Sequence, residues 1–451
     1  DWKITVLLGQ RGGTVEVIAL EKGDTSKRNF GLAVDVGTTS IVASLLDLSN
    51  CKVLGTKGNY NTQISFGEDV ISRIIYAQKP DGLEKLHAVM IEVINQLISA
   101  LAMENNVSLS EITSIVCAGN TTMTHLLYKI NPTYIRKEPY IPAATHLPTI
   151  RAAELGIKIH PRGLLAALPG VSSYVGGDIV AGVLACGMNR EEEISLLMDI
   201  GTNGEVVLGN REWSVCASCS AGPAFEGGGI KCGMRAARGA IQKFNIDIIH
   251  DKVDFEVIGG GKPRGICGSA LIDLLAELMR NNLVNRAGNF NLNIPTWRFR
   301  ESEEGIEFIL VPAEKTAIEQ NIFITEIDLE NLIRAKAAMY VGCEFLLKQM
   351  NLSFKDLSRF YIGGGFGNYL NIENAVTIGL LPDITRDKFA FIGNSSLSGA
   401  KLALFSQKAF KTAEEIARQM TNFELSVEPS FMNEYTSALF LPHTDISAFP
   451  N

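Results

Sequence analysis

Two aspartates stand in nearly the same local grammar. DVGTTS (35–40) and DIGTNGE (199–205) each follow an apolar run, and each continues through one apolar residue to Gly, Thr and a small polar residue. The pattern predicts a strand that delivers a carboxylate into a tight hairpin turn. Gly37 and Gly201 let the backbone come close to a ligand. The turn N–H groups and the side chains of Thr38, Thr39, Thr202 and Asn203 form an anion nest. Magnesium favours carboxylates, waters and phosphate oxygens, so Asp35 and Asp199 are candidate Mg2+ ligands, direct or through water, beside a phosphate cradle. One such string can be an ordinary hairpin turn. Two copies 164 residues apart predict two homologous halves facing each other across a cleft.

The elements that must position these residues follow from periodicity. Residues 1–25 alternate around Gly12 and Gly13, a hairpin signal, and 21–29 is a polar linker. Residues 1–28 are therefore expected to be the tail of a small preceding domain. A meander of strands is expected at 30–36, 40–47 and 51–56, and a helix over 83–103 with a 3.6-residue apolar period. A strand at 112–117 leads into Asn120 and Thr121 and a helix through Tyr128. The proline-rich stretch 131–174 lacks period and is expected to be a surface excursion or small cap.

A second meander starts at Ile194, a long flexible loop covers 217–229, and helices are expected over 266–279 and 327–350. A strand at 357–362 ends in Gly363, Gly364 and Gly365, a helix opens near 393, and a last strand is expected at 423–427. The resulting organisation is 1–28, a tail of a middle domain with its linker; 29–193, a first lobe; 194–392, a second lobe; and 393–451, a connecting helix, last strand and tail.

Bulk properties narrow the classes. The chain has 451 residues, 46% hydrophobic and 20% charged, enough for two or three domains with substantial cores. A net charge of −8 argues against nucleic-acid binding through a basic surface. The sequence reads as having no apolar run of membrane-spanning length and no secretory signal, so a cytoplasmic location without membrane partners is expected. The eight cysteines read as reduced thiols. Cys216, Cys219, Cys232 and Cys267 are a candidate zinc or iron–sulfur set, but no second C-x-x-C completes the spacing, which favours buried free thiols.

Five segments occur in a fixed order: DVGTTS (35–40), VGGDIVAG (175–182), DIGTNGE (199–205), YIGGGFGN (361–368) and GNSSLSGA (393–400). The set resembles the actin, sugar and acetate kinase and heat-shock chaperone ATPase superfamily. The resemblance implies an α/β fold of two duplicated ribonuclease H-like lobes, the actin-like ATPase fold, around a nucleotide cleft that takes ATP and Mg2+. It makes Asp178 a candidate to orient or deprotonate the attacking water, with a helix cap as the alternative reading. Asn120 and Thr121 would position that water or the γ-phosphate, or form an Asx turn. Gly363, Gly364, Gly365 and Asn368 would form the adenosine platform. Lys336 would meet ribose or phosphate, or be a solvated surface lysine.

A narrower likeness rests on AGNTTMTH (118–125), CSAGPAFEGGGIKCGMRAARGAI (219–241), GICGSALID (265–273) and FLPHTD (440–445). These resemble the ATP-dependent reductive activators of corrinoid proteins. That family implies a [2Fe–2S] domain, a linker and a small middle domain ahead of the ATPase, with residues 1–28 fitting the end of the middle domain. The cluster spacing is absent here, so [2Fe–2S] is expected only in an N-terminal domain outside this chain. The family also implies a corrinoid protein as partner, return of cob(II)alamin to cob(I)alamin through ATP-dependent closure, and a homodimer. Glu226 with Gly227, Gly228 and Gly229 resembles the activators' glycine-rich loop, which implies a ligand-facing or conformation-sensitive role. Alternatives on the same scaffold are a small-molecule kinase, a hydantoinase-like amidohydrolase and a nucleotide-gated binding module.

Overall fold

A computed structural model describes residues 3–303, 305–365, 370–428 and 431–449. The chain divides into two compact units. The first comprises Asp1–Glu192, Asn210–Ser214 and Asn394–Asn422, and the second Glu193–Gly209, Val215–Gly393 and Phe423–Asn451.

The first unit is built on a six-stranded sheet ordered Lys52–Tyr60, Ser40–Asp47, Phe30–Val36, Ile112–Ala118, Leu164–Ala167, Ile150–Arg151. The first three strands run antiparallel as a meander, and Ile112–Ala118 and Leu164–Ala167 add in parallel. Phe30–Val36 is buried along almost its whole length, as a central strand covered on both faces must be. The Gly82–Glu104 helix packs Leu86, Met90, Ile94 and Ile98 into the core beside this sheet. By length and composition this helix is apolar enough to cross a membrane, contrary to the reading that no run reaches that length. Its apolar residues line a protein core, which accounts for its composition.

The proline-rich stretch is not merely a surface excursion, because it supplies Ile150–Arg151 and Leu164–Ala167 to the sheet. Leu164–Ala167 is nearly all buried and so carries no alternation to read. The last strand is Met420–Asn422, not 423–427; Phe423 N–H donates to Cys216 O and the chain then tightens into a 3-10 turn at Leu425–Val427.

Within the first unit the Gly177–Cys186 and Ser395–Phe405 helices lie in close contact. A Cβ on Gly399 would stand 2.2 Å from Ala181 O, a backbone atom that cannot swing aside. Gly399→Leu is expected to destabilise the fold by about 2–3 kcal/mol, read as a lower urea midpoint. An unchanged midpoint would mean that this close approach contributes nothing to stability.

The second unit repeats the plan. Its main sheet runs Phe389–Gly393, Arg359–Gly363, Ser195–Ile200, Gly204–Gly209, Ser214–Cys219. Ser195–Ile200 pairs antiparallel with its hairpin partner and parallel with Arg359–Gly363, as Phe30–Val36 does with Ser40–Asp47 and Ile112–Ala118. The duplicated α/β fold is therefore visible as strand order. Gly268–Arg280 and Glu326–Gln349 are the two expected helices, the second opened by a reciprocal Thr325–Asp328 cap. Two three-stranded sheets, Lys252–Val257 with Ala240–Asp247 and Gly265–Ile266, and Phe299–Ser302 with Gly305–Val311 and Ile322–Thr325, had no counterpart in the sequence reading.

Candidate functional site

Asp35 is the penultimate residue of its strand, and both its oxygens are engaged. Asn394 Nδ2 donates to Oδ2 at 2.8 Å and Ser396 Oγ to Oδ1 at 2.8 Å. Asn394 also caps the Ser395–Phe405 helix by accepting from Leu397 N–H at 2.7 Å. Dense surroundings push the Asp35 carboxyl above the usual carboxylate range, and these two donors pull against that. An ionised carboxylate has about four lone-pair positions, so Asp35 retains acceptor capacity for a hydrated cation. Asn394 and Ser396 were not singled out from sequence, although they lie inside GNSSLSGA.

The turn after Asp35 is tight: a Cβ on Gly37 would come 2.5 Å from Ser40 O. Thr38 is buried and accepts from Asn120 Nδ2 at 2.9 Å. Asn120 Oδ1 in turn accepts from Met123 N–H at 2.9 Å and caps the Thr121–Leu127 helix. Asn120 thus makes the Asx-type contact and also braces the turn that follows Asp35. Thr121 Oγ1 donates to Ser172 O at 2.6 Å. Asp178 lies in the first turn of Gly177–Cys186, whose N-cap is Gly176, so Asp178 is not the cap. Its N–H donates to Gly119 O at 3.3 Å, which sets this helix start against the end of the Ile112–Ala118 strand. Asp35, Thr38, Asn120 and Asp178 are thereby gathered at the carboxyl ends of adjacent strands, where open α/β sheets bind ligands.

In the second unit Asp199 again precedes the last strand residue. It stands in register opposite Glu205 and beside Gly363. Opposed residues of an antiparallel pair project to one face, so the buried Glu205 is a second carboxylate there that sequence reasoning passed over. The signal was available: positions 199 and 205 are symmetric about the Gly201–Asn203 turn. Asp35 instead faces Val42, so the two hairpins differ in charge and in turn length.

Gly201 N–H donates to Asn203 O at 3.2 Å, and Thr202 Oγ1 donates to Glu226 Oε2 at 2.8 Å. Gly364, at φ 105°, would place a Cβ 2.1 Å from Ile200 O. Gly364 is thus packed on the Asp199 strand, while a Cβ on Gly365 would meet no atom of the described residues within 4 Å. Gly228 packs on Pro223, a Cβ there coming within 2.7 Å of Pro223 Cβ. Asn368 lies outside the described residues.

Lys336 is neither a surface residue nor directed to a ligand. It is wholly buried and donates to Phe440 O at 2.6 Å and Pro442 O at 2.7 Å. Burial pushes its pKa down to about 7.

None of the eight cysteines forms a disulfide. Burial holds Cys216, Cys219 and Cys343 well above the ordinary thiol range. Among the described residues no group of three or more His, Cys, Asp or Glu side chains is arranged to hold a metal ion.

Residues 193–451 match the C-terminal domain of RACo, described as its ASKHA domain, and residues 30–191 match the RACo middle region. The corrinoid activation enzyme RamQ of Eubacterium limosum is 34% identical over 424 residues, 92% of this chain and 71% of that protein. The [Co(II) methylated amine-specific corrinoid protein] reductase of Methanosarcina barkeri is 24% identical over 449 residues, 91% of this chain and 76% of that protein. A solved structure of a reductive activator for corrinoid, iron-sulfur protein is 51% identical with a TM-score of 0.93, covering 99% of this chain and 71% of that one.

Proposed function

This chain belongs to the RACo family, and from that premise we propose that it is an ATP-dependent reductive activator of a corrinoid protein. The observation that carries the ATP part is the repetition of one device: a carboxylate at the end of a buried strand, followed by a glycine-threonine turn, once in each unit. The turns are suited to phosphate oxygens. With no protein cluster gathered for a bare ion among the described residues, Mg2+ would arrive held mainly by phosphates and water, with Asp35 and Asp199 as its carboxylate partners. Asp178, in a helix's first turn whose N–H bonds Gly119 O, would orient a water for attack on the terminal phosphate.

The reaction adds one electron to cob(II)alamin to give cob(I)alamin. Among the described residues no three Cys, His, Asp or Glu side chains gather as a cluster site, so the electron is assigned to a low-potential one-electron donor outside these residues. Nucleotide biases the protein's conformation by its differential affinity for two states, and hydrolysis removes that bias.

The test is Mg-ATP hydrolysis with and without a cob(II)alamin-bearing corrinoid protein, with a low-potential reductant and cob(I)alamin followed by absorbance. Partner-stimulated phosphate release together with ATP-dependent cob(I)alamin formation is the expected result. Transfer of phosphate to an added small acceptor, with no cob(I)alamin, would instead make the chain a kinase.

A further inference from the structure

We propose that Glu226 is a latch on the second phosphate turn, displaced when a nucleoside triphosphate binds; this rests on the ATP reading above. A threonine hydroxyl carries one proton. That of Thr202 is donated to Glu226 Oε2, so it is not available to a phosphate oxygen while this bond stands. The Glu226 carboxylate is also an anion held against a turn built for anions. A phosphate at Thr202 and an ionised Glu226 in its present place therefore exclude each other.

What the latch moves follows from how its turn is fastened. Glu226 ends the Pro223–Glu226 turn, and Gly227 (φ 82°) and Gly229 (φ 69°) reverse the chain in the left-handed region. A Cβ on Gly227 would lie 2.6 Å from Met234 N, and one on Gly268 would lie 1.7 Å from Phe225 O, so the turn has little freedom except as a body. Gly229 O accepts from Asn331 Nδ2 at 3.0 Å, and Lys231 N–H donates to Asp328 Oδ1 at 2.9 Å. Both partners lie in the first turns of the Glu326–Gln349 helix. Release of Glu226 is thus transmitted to the start of that helix through two hydrogen bonds. Glu226 is a positioning residue here, acting on nucleotide through Thr202.

The experiment measures Mg-ATP and Mg-ADP dissociation constants by calorimetry for the full chain, Glu226→Gln and Thr202→Val, with thermal melts to confirm folding. Hydrogen exchange over 223–231 and 326–332 is followed in parallel. Glu226→Gln keeps an acceptor for Thr202 but removes the charge, and is expected to bind Mg-ATP about 10-fold more tightly. Exchange over both segments is expected to rise on Mg-ATP binding in the wild-type chain, and Glu226→Ala is expected to show that rise without nucleotide. Unchanged Mg-ATP affinity in Glu226→Gln overturns the latch. Weaker affinity also overturns it, making Glu226 a partner of the bound metal instead. If the wild-type chain binds no Mg-ATP, the ATP reading fails and the latch with it, an outcome distinct from the other two.

Discussion

Asp199→Ala is expected to lower Mg-ATP hydrolysis at least about 100-fold, the scale set by removing one positioned charge or donor from a preorganised site. Stability should hold. Asp199 is only partly buried, so truncation leaves no closed cavity. The melting temperature is therefore expected to change little while phosphate release collapses. Asp199→Asn separates charge from shape: it should be nearly as inactive, because an amide cannot neutralise a cation. Phosphate release by either variant within about threefold of wild type would remove Asp199 from the chemistry.

Features legible in the sequence are those set by local pattern. The hairpins carrying Asp35 and Asp199 were readable because an apolar run, an Asp and a glycine turn occur within eight residues. Gly82–Glu104 was readable from its period, and its capping ends fell within a residue of the expectation. Leu164–Ala167 was not, because a strand buried on both faces loses alternation.

The site's bracing was hidden for a different reason. Asn394 and Ser396 reach Asp35 from some 360 positions along the chain, and Glu226 reaches Thr202 from another loop. Nothing in either local sequence marks those meetings. Asn120 shows the subtler failure: its residue type announced either a turn or a ligand contact, and folding used it for a cap and a brace together. Lys336 misled most, since a lysine in a helical stretch reads as solvated.

That lysine yields the second large effect. Lys336→Ala is expected to destabilise the chain by about 3 kcal/mol, mainly from the cavity left by its stem and in part from two carbonyls losing their donor. The segment it holds is also gripped elsewhere: Arg286 donates to Leu441 O at 3.3 Å and Thr444 O at 3.2 Å, and to His443 O, while Tyr340 packs against His443 and Phe449. The variant should therefore fold with a loosened tail rather than fail outright.

The pH dependence separates the charge from the packing. In the folded chain burial brings Lys336 to about 7, against roughly 10.4 for an exposed lysine. Between those values the unfolded chain binds the extra proton, so this group makes stability rise with pH across that window, by at most about 5 kcal/mol. Below about pH 7 both states are protonated and the cost of burying the ammonium is fully present. Neighbouring His443, itself held below the ordinary histidine range by burial, contributes in the acid range below that window. Phe440 O and Pro442 O oppose the burial effect, because two carbonyl acceptors favour the ammonium form. Melting from pH 6.5 to 9.5 should thus give a rising wild-type curve and a flatter one for Lys336→Met, which fills the space without the charge. Parallel curves would mean that the carbonyls outweigh burial, leaving Lys336 a permanently charged pin for the tail.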